Sequence, residues 1–165
     1  MARALKRQLV DRGATVRLTR RTNSLDDWGP CINVRGRKGN RVEADAVVSI
    51  HGDGAAERAR GFFVIRPGFR AGWTGDITRP SKRLSRALKH GLVDAGAVVG
   101  DAYGGDGLDT RTDLGTLNWS DRPIVMVELG NMRNSRDARR MRSAEYRRTV
   151  YARGLRLGLT RFLHR

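Results

Sequence analysis

The sequence predicts a single three-layer α/β/α domain with a mainly parallel, twisted sheet over residues 1–165. Two apolar runs rich in Val and Ile, at 46–50 and 124–129, have the composition of strands that are buried on both faces. Segments with helical spacing of apolar residues alternate with such runs, which is the order that builds a parallel sheet between two helical layers. A chain of 165 residues, 39% of them hydrophobic, is long enough for one compact domain but not for two.

The N-terminal part of the chain predicts two helices and three strands. Leu5, Leu9 and Val10 share one side of the first helix, and Gly13 follows its end. Gly36 and Gly39 weaken the second helix because glycine is a poor helix former. In chain order, these elements are a helix over 2–11, a strand over 14–19, a helix over 32–44 and strands over 46–50 and 61–65.

The C-terminal part predicts two helices separated by strands and Gly-rich loops. Leu84, Leu88 and Leu92 recur every four residues and place one apolar face on a helix. In chain order, the elements are a loop over 67–75, a helix over 81–94, a loop over 96–109, a short strand over 114–117, a strand over 124–129 and a mostly helical segment over 137–163.

The charge of the chain favours a polyanionic environment. The formal net charge is +16, from 33 Lys and Arg against 17 Asp and Glu, which suits nucleic acid, anionic lipid or an acidic cell-wall polymer. The arginines are dispersed, however, so a solvated helical face explains the dense run at 136–161 equally well. Aromatic residues make up only 6% of the chain and no nucleic-acid-binding motif is visible, so no specific nucleic acid partner is expected. No apolar window is long enough to span a membrane.

His51 and Glu128 are the candidate functional residues, because each stands at or near the end of a predicted buried strand. In an α/β sheet, ligands and substrates bind where the strands end. Taken singly, each has an ordinary structural explanation: a histidine bonded to the backbone, or a carboxylate in an ion pair. His90 and His164 lie in a helix tail and at the C-terminus and are expected to be surface residues.

Three ordered segments of the chain form a recognisable set of motifs. They are LVDRGATVRLTR at 9–20, RVEADAVVSIHGD at 41–53 and RPIVMVELGNMRN at 122–134. Together they resemble the zinc-dependent N-acetylmuramoyl-L-alanine amidases, which trim bacterial cell walls. In that family a helix leads to a strand ending in Thr-Arg, an Ala-Asp pair precedes Ser-Ile-His, and a Pro leads a strand ending on a catalytic Glu.

The resemblance implies a peptidoglycan hydrolase with a Zn²⁺ cofactor. It assigns His51 as a zinc ligand and Glu128 as the catalytic residue that works on the metal-bound water, with Asp53 as a possible neighbour of the site. The bond cleaved would be the amide between the lactyl group of N-acetylmuramic acid and L-alanine, in polymeric peptidoglycan or in muropeptides. Arg111 and Asn118, in the loop before the Glu128 strand, are candidate substrate-binding residues. A monomer in the extracellular space or cell envelope (periplasm) is expected.

The sequence departs from the family at its N-terminal end. The family begins with a central strand and a Gly-His-Gly-Gly-like turn carrying the first zinc histidine, and a glutamate ligand follows. Neither feature precedes Leu5 here, so two of three expected ligands are missing and the chain is expected to be an N-terminally truncated catalytic domain. The same truncation would explain why no signal peptide is visible and why Cys31, the single cysteine, has no partner. The alternative is a metal-free relative that binds the wall or regulates other enzymes.

Overall fold

The computed structural model describes residues 1–20, 22, 29–102 and 105–163. A short π-helical segment, Arg147–Ala152, leads into the last helix. The helices are α1 (Ala2–Val10), α2 (Ile32–Gly36), α3 (Lys38–Arg41), α4 (Thr78–Asp94), α5 (Gly115–Asn118), α6 (Ser135–Arg142), α7 (Ala144–Tyr146) and α8 (Arg153–Phe162). The strands are β1 (Val47–Asp53), β2 (Phe63–Pro67), β3 (Leu108–Arg111) and β4 (Ile124–Asn131).

These four strands form one sheet in the order β1-β4-β2-β3. The pairs β1–β4 and β2–β3 are parallel, whereas β2 runs antiparallel to β4. The predicted α/β class with a mainly parallel sheet is therefore confirmed. Among the described residues, β1 and β3 form the two edges of the sheet.

Helices cover both faces of the sheet, and alternation along β4 decides which side chains meet which helices. Val125 and Val127 pack with leucines of α1, α4 and α8, and we call this side the α4 face. Ile124 and Met126 point the other way and pack with Leu117 of α5, and we call this side the α5 face. Every other residue of a strand thus shares a face, which places the site residues described below.

The sequence predicts a strand over 14–19, but residues 14–19 form neither helix nor strand in the described structure. The backbone N–H of Ala14 donates to Leu9 at the end of α1, and no strand pairs with the segment. A strand needs a neighbour to satisfy its backbone groups, so the prediction of a strand here was wrong for the structure as described.

The region before β4 also differs from the sequence-based expectation. Residues 114–117 were expected to form a strand, but Gly115–Asn118 is one helical turn that buries Leu117 completely. The strand of this region is β3, Leu108–Arg111, whose first two residues the sequence assigns to a Gly-rich loop. Gly and Asn disfavour strands, and the open edge of β2 provides the partner that β3 needs.

The predicted helix over 32–44 is divided into α2 and α3 at Arg37, as its two glycines suggested. A Cβ on Gly36 would lie 2.7 Å from the carbonyl oxygen of Thr116, so this close approach of α2 to α5 requires glycine. The predicted segment over 137–163 begins earlier, at Ser135, and is interrupted at Ser143, whose extended backbone ends α6. No helix in the described part of the chain is both long and apolar enough to cross a membrane.

Candidate active site

His51 and Glu128 lie side by side on neighbouring strands. The two residues are register partners in the parallel β1–β4 pair, where strands run about 4.8 Å apart. Val47 packs on the α5 face, and His51, four residues further along β1, therefore shares that face. Glu128 follows Ile124 and Met126 on the same face of β4. The fold thus brings together the two residues that the sequence singles out.

One oxygen of the Glu128 carboxyl group has no hydrogen-bonding partner among the described residues. Its Oε2 is buried and accepts no hydrogen bond from the described residues. Burial raises the pKa of Glu128 to about 7, and the nearby carboxylate of Asp53 adds to the effect. A carboxyl group with such a pKa can both take up and release a proton near neutral pH, which is what general acid–base catalysis requires.

The imidazole of His51 reaches solvent at the α5 face. Its Nε2 lies 3.0 Å from the hydroxyl oxygen of Ser49, two residues earlier on the same face of β1. Partial burial lowers the pKa of His51, and the positive charge of Arg35 lowers it further. The ring is therefore neutral at neutral pH, and neutral imidazole is the form that ligates zinc.

Glu128 should make the stability of the metal-free chain depend on pH. Its pKa in the folded state, about 7, lies above its ordinary value of 4.5, so the folded chain binds more protons between these values. The free energy of unfolding contributed by this group is therefore present below about pH 4.5 and is lost as pH rises through 7. Because Glu128 is partly exposed, we expect Glu128→Gln to be more stable than the wild type by only about 1–2 kcal/mol at pH 8.

Urea unfolding in the presence of a chelator at pH 4.5 and pH 8 measures this effect. The two proteins should unfold at similar urea concentrations at the lower pH and diverge at the higher one. Glu57→Gln, at an exposed position, is the matched control and should show no such divergence. A Glu128→Gln variant that is less stable than the wild type at pH 8 would contradict the interpretation that burial disfavours the charged form of Glu128.

The end of β4 is fastened to the loop that follows β1 by a buried polar cluster. Asp137 of α6 is 1% exposed, and its Oδ2 accepts hydrogen bonds from the backbone N–H of Gly61 at 2.7 Å and of Asn131 at 3.0 Å. The side-chain amide of Asn131, also 1% exposed, donates to three carbonyl oxygens of the same loop. These belong to Ala55, Ala56 and Ala59. We call Asn131 and Asp137 with these loop groups the β4 anchor.

Asn134 completes the connection between β4 and α6. Its Oδ1 accepts hydrogen bonds from the backbone N–H groups of Arg136 and Asp137 and so caps the helix. Its Nδ2 donates to the carbonyl oxygen of Glu57 in the loop after β1. The segments that follow His51 and Glu128 are thereby held together.

We expect Asp137→Ala to lower the free energy of unfolding by about 3 kcal/mol or more, because two buried backbone donors lose their acceptor. Chemical denaturation measures the loss. Asp94→Ala is the control, since Asp94 forms an exposed ion pair with Arg161 and its removal should cost less than about 1 kcal/mol. Equal losses in the two variants would show that the β4 anchor does not stabilise the fold.

Arg111 lies away from the His51–Glu128 pair, whereas Asn118 is buried in α5, which covers the same face of the sheet as the pair. Arg111 lies on the far edge strand and forms a bidentate ion pair with Asp113, at 2.8 and 2.6 Å. It pairs with Pro67, four residues along β2 from the partner of Glu128, which is about 13 Å along the strand. Asn118 is 5% exposed, and its amide donates to the carbonyl oxygen of Thr112. Their role in substrate binding stays a prediction.

The described residues do not make a complete zinc site. His51 is the candidate ligand, but no group of three His, Cys, Asp or Glu side chains in residues 1–20, 22, 29–102 and 105–163 is arranged to hold a metal ion. A catalytic zinc normally has three protein ligands and an open position for water. His90 is exposed, Cys31 is exposed with a free thiol, and His164 lies outside the described residues.

The domain is a three-layer α/β fold in which the carboxyl group of Glu128 lies beside the imidazole of His51 on one face of the sheet. The family model described as N-acetylmuramoyl-L-alanine amidase matches residues 1–160. The chain belongs to the N-acetylmuramoyl-L-alanine amidase family.

Several characterised proteins resemble the chain over most of its length. It is 38% identical over 137 residues to the N-acetylmuramoyl-L-alanine amidase Rv3717 of Mycobacterium tuberculosis. This match covers 82% of the chain but only 55% of Rv3717. The crystal structure of apo Ami1 from Mycobacterium abscessus matches with a TM-score of 0.90 at 33% identity, over 98% of this chain and 74% of that one. The crystal structure of Ami1 from Mycobacterium smegmatis matches with a TM-score of 0.88 at 30% identity, over 99% of this chain and 73% of that one. The chain thus spans about half the length of the curated relative.

Proposed function

We propose that this chain is the catalytic part of a zinc-dependent peptidoglycan amidase, which hydrolyses the amide between N-acetylmuramic acid and L-alanine of the stem peptide during cell-wall turnover. The observation that carries the proposal is the register pairing of His51 with Glu128 on one face of the sheet. Family membership and the likeness to Ami1 support the reaction class.

Glu128 is the proposed acid–base catalyst. With a pKa of about 7, its carboxylate takes a proton from the attacking water as the oxygen adds to the amide carbonyl. The same group, now protonated, delivers the proton to the nitrogen of L-alanine as the carbon–nitrogen bond breaks. Glu128 thereby returns to its starting state, and the products are a carboxylic acid on the lactyl group and a peptide with a free amine.

Zinc is the proposed cofactor, with His51 as one of its ligands. Bound zinc lowers the pKa of water and polarises a carbonyl oxygen, both of which assist amide hydrolysis. Since the described residues do not complete the site, we propose that residues N-terminal to Met1 in a longer protein provide the other ligands. We refer to the chain read in frame from further upstream as the extended chain.

The sheet supports the proposal that a strand and a turn of the catalytic domain are missing from residues 1–165. Within the described structure β1 is an edge strand, so one row of its backbone N–H and C=O groups has no ladder partner. Unpaired strand edges are unfavourable, and an additional strand beside β1 would satisfy these groups. A secreted monomer in the extracellular space or cell envelope, acting on peptidoglycan or muropeptides, fits this reading.

A metal-free module that binds the wall or regulates other enzymes is the second candidate. The absence of a three-ligand group among the described side chains favours it. It differs from the enzyme in two measurable properties, since such a module contains no zinc and hydrolyses no muropeptide.

Product analysis tests the reaction. The extended chain is incubated with a muramoyl dipeptide, and the products are separated and identified by mass spectrometry. We expect free N-acetylmuramic acid and a peptide with a new L-alanine amine. Cleavage within the peptide or the glycan, or no cleavage by a zinc-loaded extended chain, would contradict it.

A further inference from the structure

A dense group of arginines lies on the side of the domain opposite His51 and Glu128. Leu5 of α1 and Leu155 of α8 pack on the α4 face, so these two helices belong to the layer that covers it. The site residues are on the α5 face. The surface between α1 and the C-terminal helical segment is therefore separated from the candidate active site by the sheet.

Two adjoining depressions run along this surface, and Arg148 lines both. The first lies between the end of α1 and α8, and the second continues toward the start of α1. We call the two together the arginine groove. Seven arginines line it: Arg12, Arg148, Arg153 and Arg156 in the first depression, and Arg3, Arg7 and Arg147 in the second.

The positive charge of the groove is scarcely balanced. Glu145 is the single carboxylate among the described lining residues. Arg148, Arg153 and Arg156 take part in none of the five ion pairs recorded among the described residues. Like charges brought together in this way repel one another, so an anion placed between them would be stabilised.

The pKa of Arg156 reflects this crowding. It is lowered, first by burial of the guanidinium and then by the positive charges of Arg12 and Arg153. Arg12 comes from the end of α1 and Arg156 from α8, so the crowding arises only when the two helices pack together.

The shape of the groove favours a linear polyanion over a compact ligand. Arg3 and Arg7 lie about 6 Å apart along α1, Arg12 follows in the turn after this helix, and arginines of the C-terminal segment line the same two depressions. Guanidinium groups bind phosphate oxygens through paired hydrogen bonds, which suits a chain of repeated phosphodiesters. No aromatic side chain lines the described groove, so bases of a single-stranded nucleic acid would find nothing to stack on.

We propose that the arginine groove binds the phosphodiester backbone of an anionic cell-wall polymer. The proposal rests on the proposed function to the extent that an enzyme of peptidoglycan meets such polymers in the wall. Binding through the α4 side leaves the α5 face, with His51 and Glu128, open toward peptidoglycan. The groove then retains the domain at its substrate without occupying the active site.

The test compares two double variants with equal charge. Arg12→Glu/Arg153→Glu alters the groove, and Arg79→Glu/Arg86→Glu alters exposed positions of α4 outside it. Both changes reduce the formal net charge from +16 to +12, because each Arg→Glu substitution replaces a positive charge with a negative one and so lowers the net charge by two. The probe is poly(glycerol phosphate), titrated against the 165-residue chain at about 0.15 M salt, where weak nonspecific attraction is screened.

We expect the groove variant to bind the polymer at least about tenfold more weakly, a loss of about 1.4 kcal/mol. The control variant should change affinity less than threefold, and circular dichroism should show both folded. Equal weakening in the two variants would overturn the proposal in favour of diffuse charge attraction. A groove variant that binds as tightly as the wild type would overturn it as well.

Two further probes distinguish the source of the phosphate. Single-stranded DNA with the same number of phosphates should bind more weakly than the polymer, and tighter binding of DNA would overturn the proposal in favour of a nucleic acid partner. Capture by phosphatidylglycerol vesicles without binding of the polymer would overturn it in favour of a lipid surface. These experiments measure binding rather than hydrolysis. Their results can therefore be interpreted even if the extended chain proves not to be an amidase.

Discussion

Glu128→Gln in the extended chain is expected to lower kcat for muramoyl-peptide cleavage by about 10²–10⁴-fold, the range that general acid–base catalysis contributes. Glutamine matches the shape of the glutamate side chain but neither accepts a proton from water nor delivers one to the leaving amine. The buried Oε2, which lacks a partner, gives the amide no new contact that would disturb the fold. The variant should therefore retain its zinc content and its secondary structure.

Glu57→Gln provides the matched control for this loss. Glu57 is exposed in the loop after β1, and only its backbone carbonyl takes part in the contacts with Asn134. The control should retain kcat within about twofold. A Glu128→Gln variant with more than a tenth of wild-type activity would show that another group transfers the proton.

His51→Ala in the extended chain is expected to weaken zinc binding by more than about 100-fold. Loss of a group that only supports a ligand already costs 10–100-fold in metal affinity, and loss of a ligand itself should exceed that range. The free imidazole is neutral, because partial burial and Arg35 lower the pKa of His51, so it is ready to bind metal near neutral pH. Competition with a zinc-sensitive chelator dye measures the affinity.

His90→Ala is the control for histidine removal as such. His90 is exposed on α4, on the side of the sheet away from the site, and its loss should leave zinc affinity unchanged. If His51→Ala and His90→Ala bind zinc equally well, His51 is not a ligand and the assignment of the site is wrong.

The His51–Glu128 pair could be anticipated from the sequence because its signals are local. Each residue follows a run of Val and Ile that reads as a buried strand, and site residues of α/β sheets lie where such strands end. The register that pairs His51 with Glu128 is seen only in the structure. The pattern also shows which face each side chain occupies, since positions alternate along a strand. The structure adds the burial that shifts the pKa of Glu128, which depends on how the surrounding segments pack.

The β4 anchor could not be anticipated, because it joins parts of the chain that are distant in sequence. Gly61 and Asp137 are 76 residues apart, and neither stands in a pattern that predicts their hydrogen bond. The same holds for the arginine groove. The sequence shows arginine dispersed along the chain, and only the packing of α1 against the C-terminal segment places Arg12 beside Arg156.

The errors in secondary structure have a common physical origin. Residues 14–18 do not form a strand, because the described structure offers them no neighbour with which to form a ladder. Residues 108–111, in contrast, become a strand because the edge of β2 is available to them. Strand formation is decided by the partner as much as by the segment itself, and the sequence of the segment does not contain that information.

The most direct test of the proposed zinc site is the zinc content of the 165-residue chain measured beside that of the extended chain, both purified without added metal. We expect about one zinc per extended chain and far less than one per 165-residue chain, because the described residues give His51 no companion ligands and a single histidine does not hold the ion at useful affinity. A 165-residue chain that binds one zinc and cleaves a muramoyl peptide would contradict this expectation, since the ligands would then lie within residues 1–165.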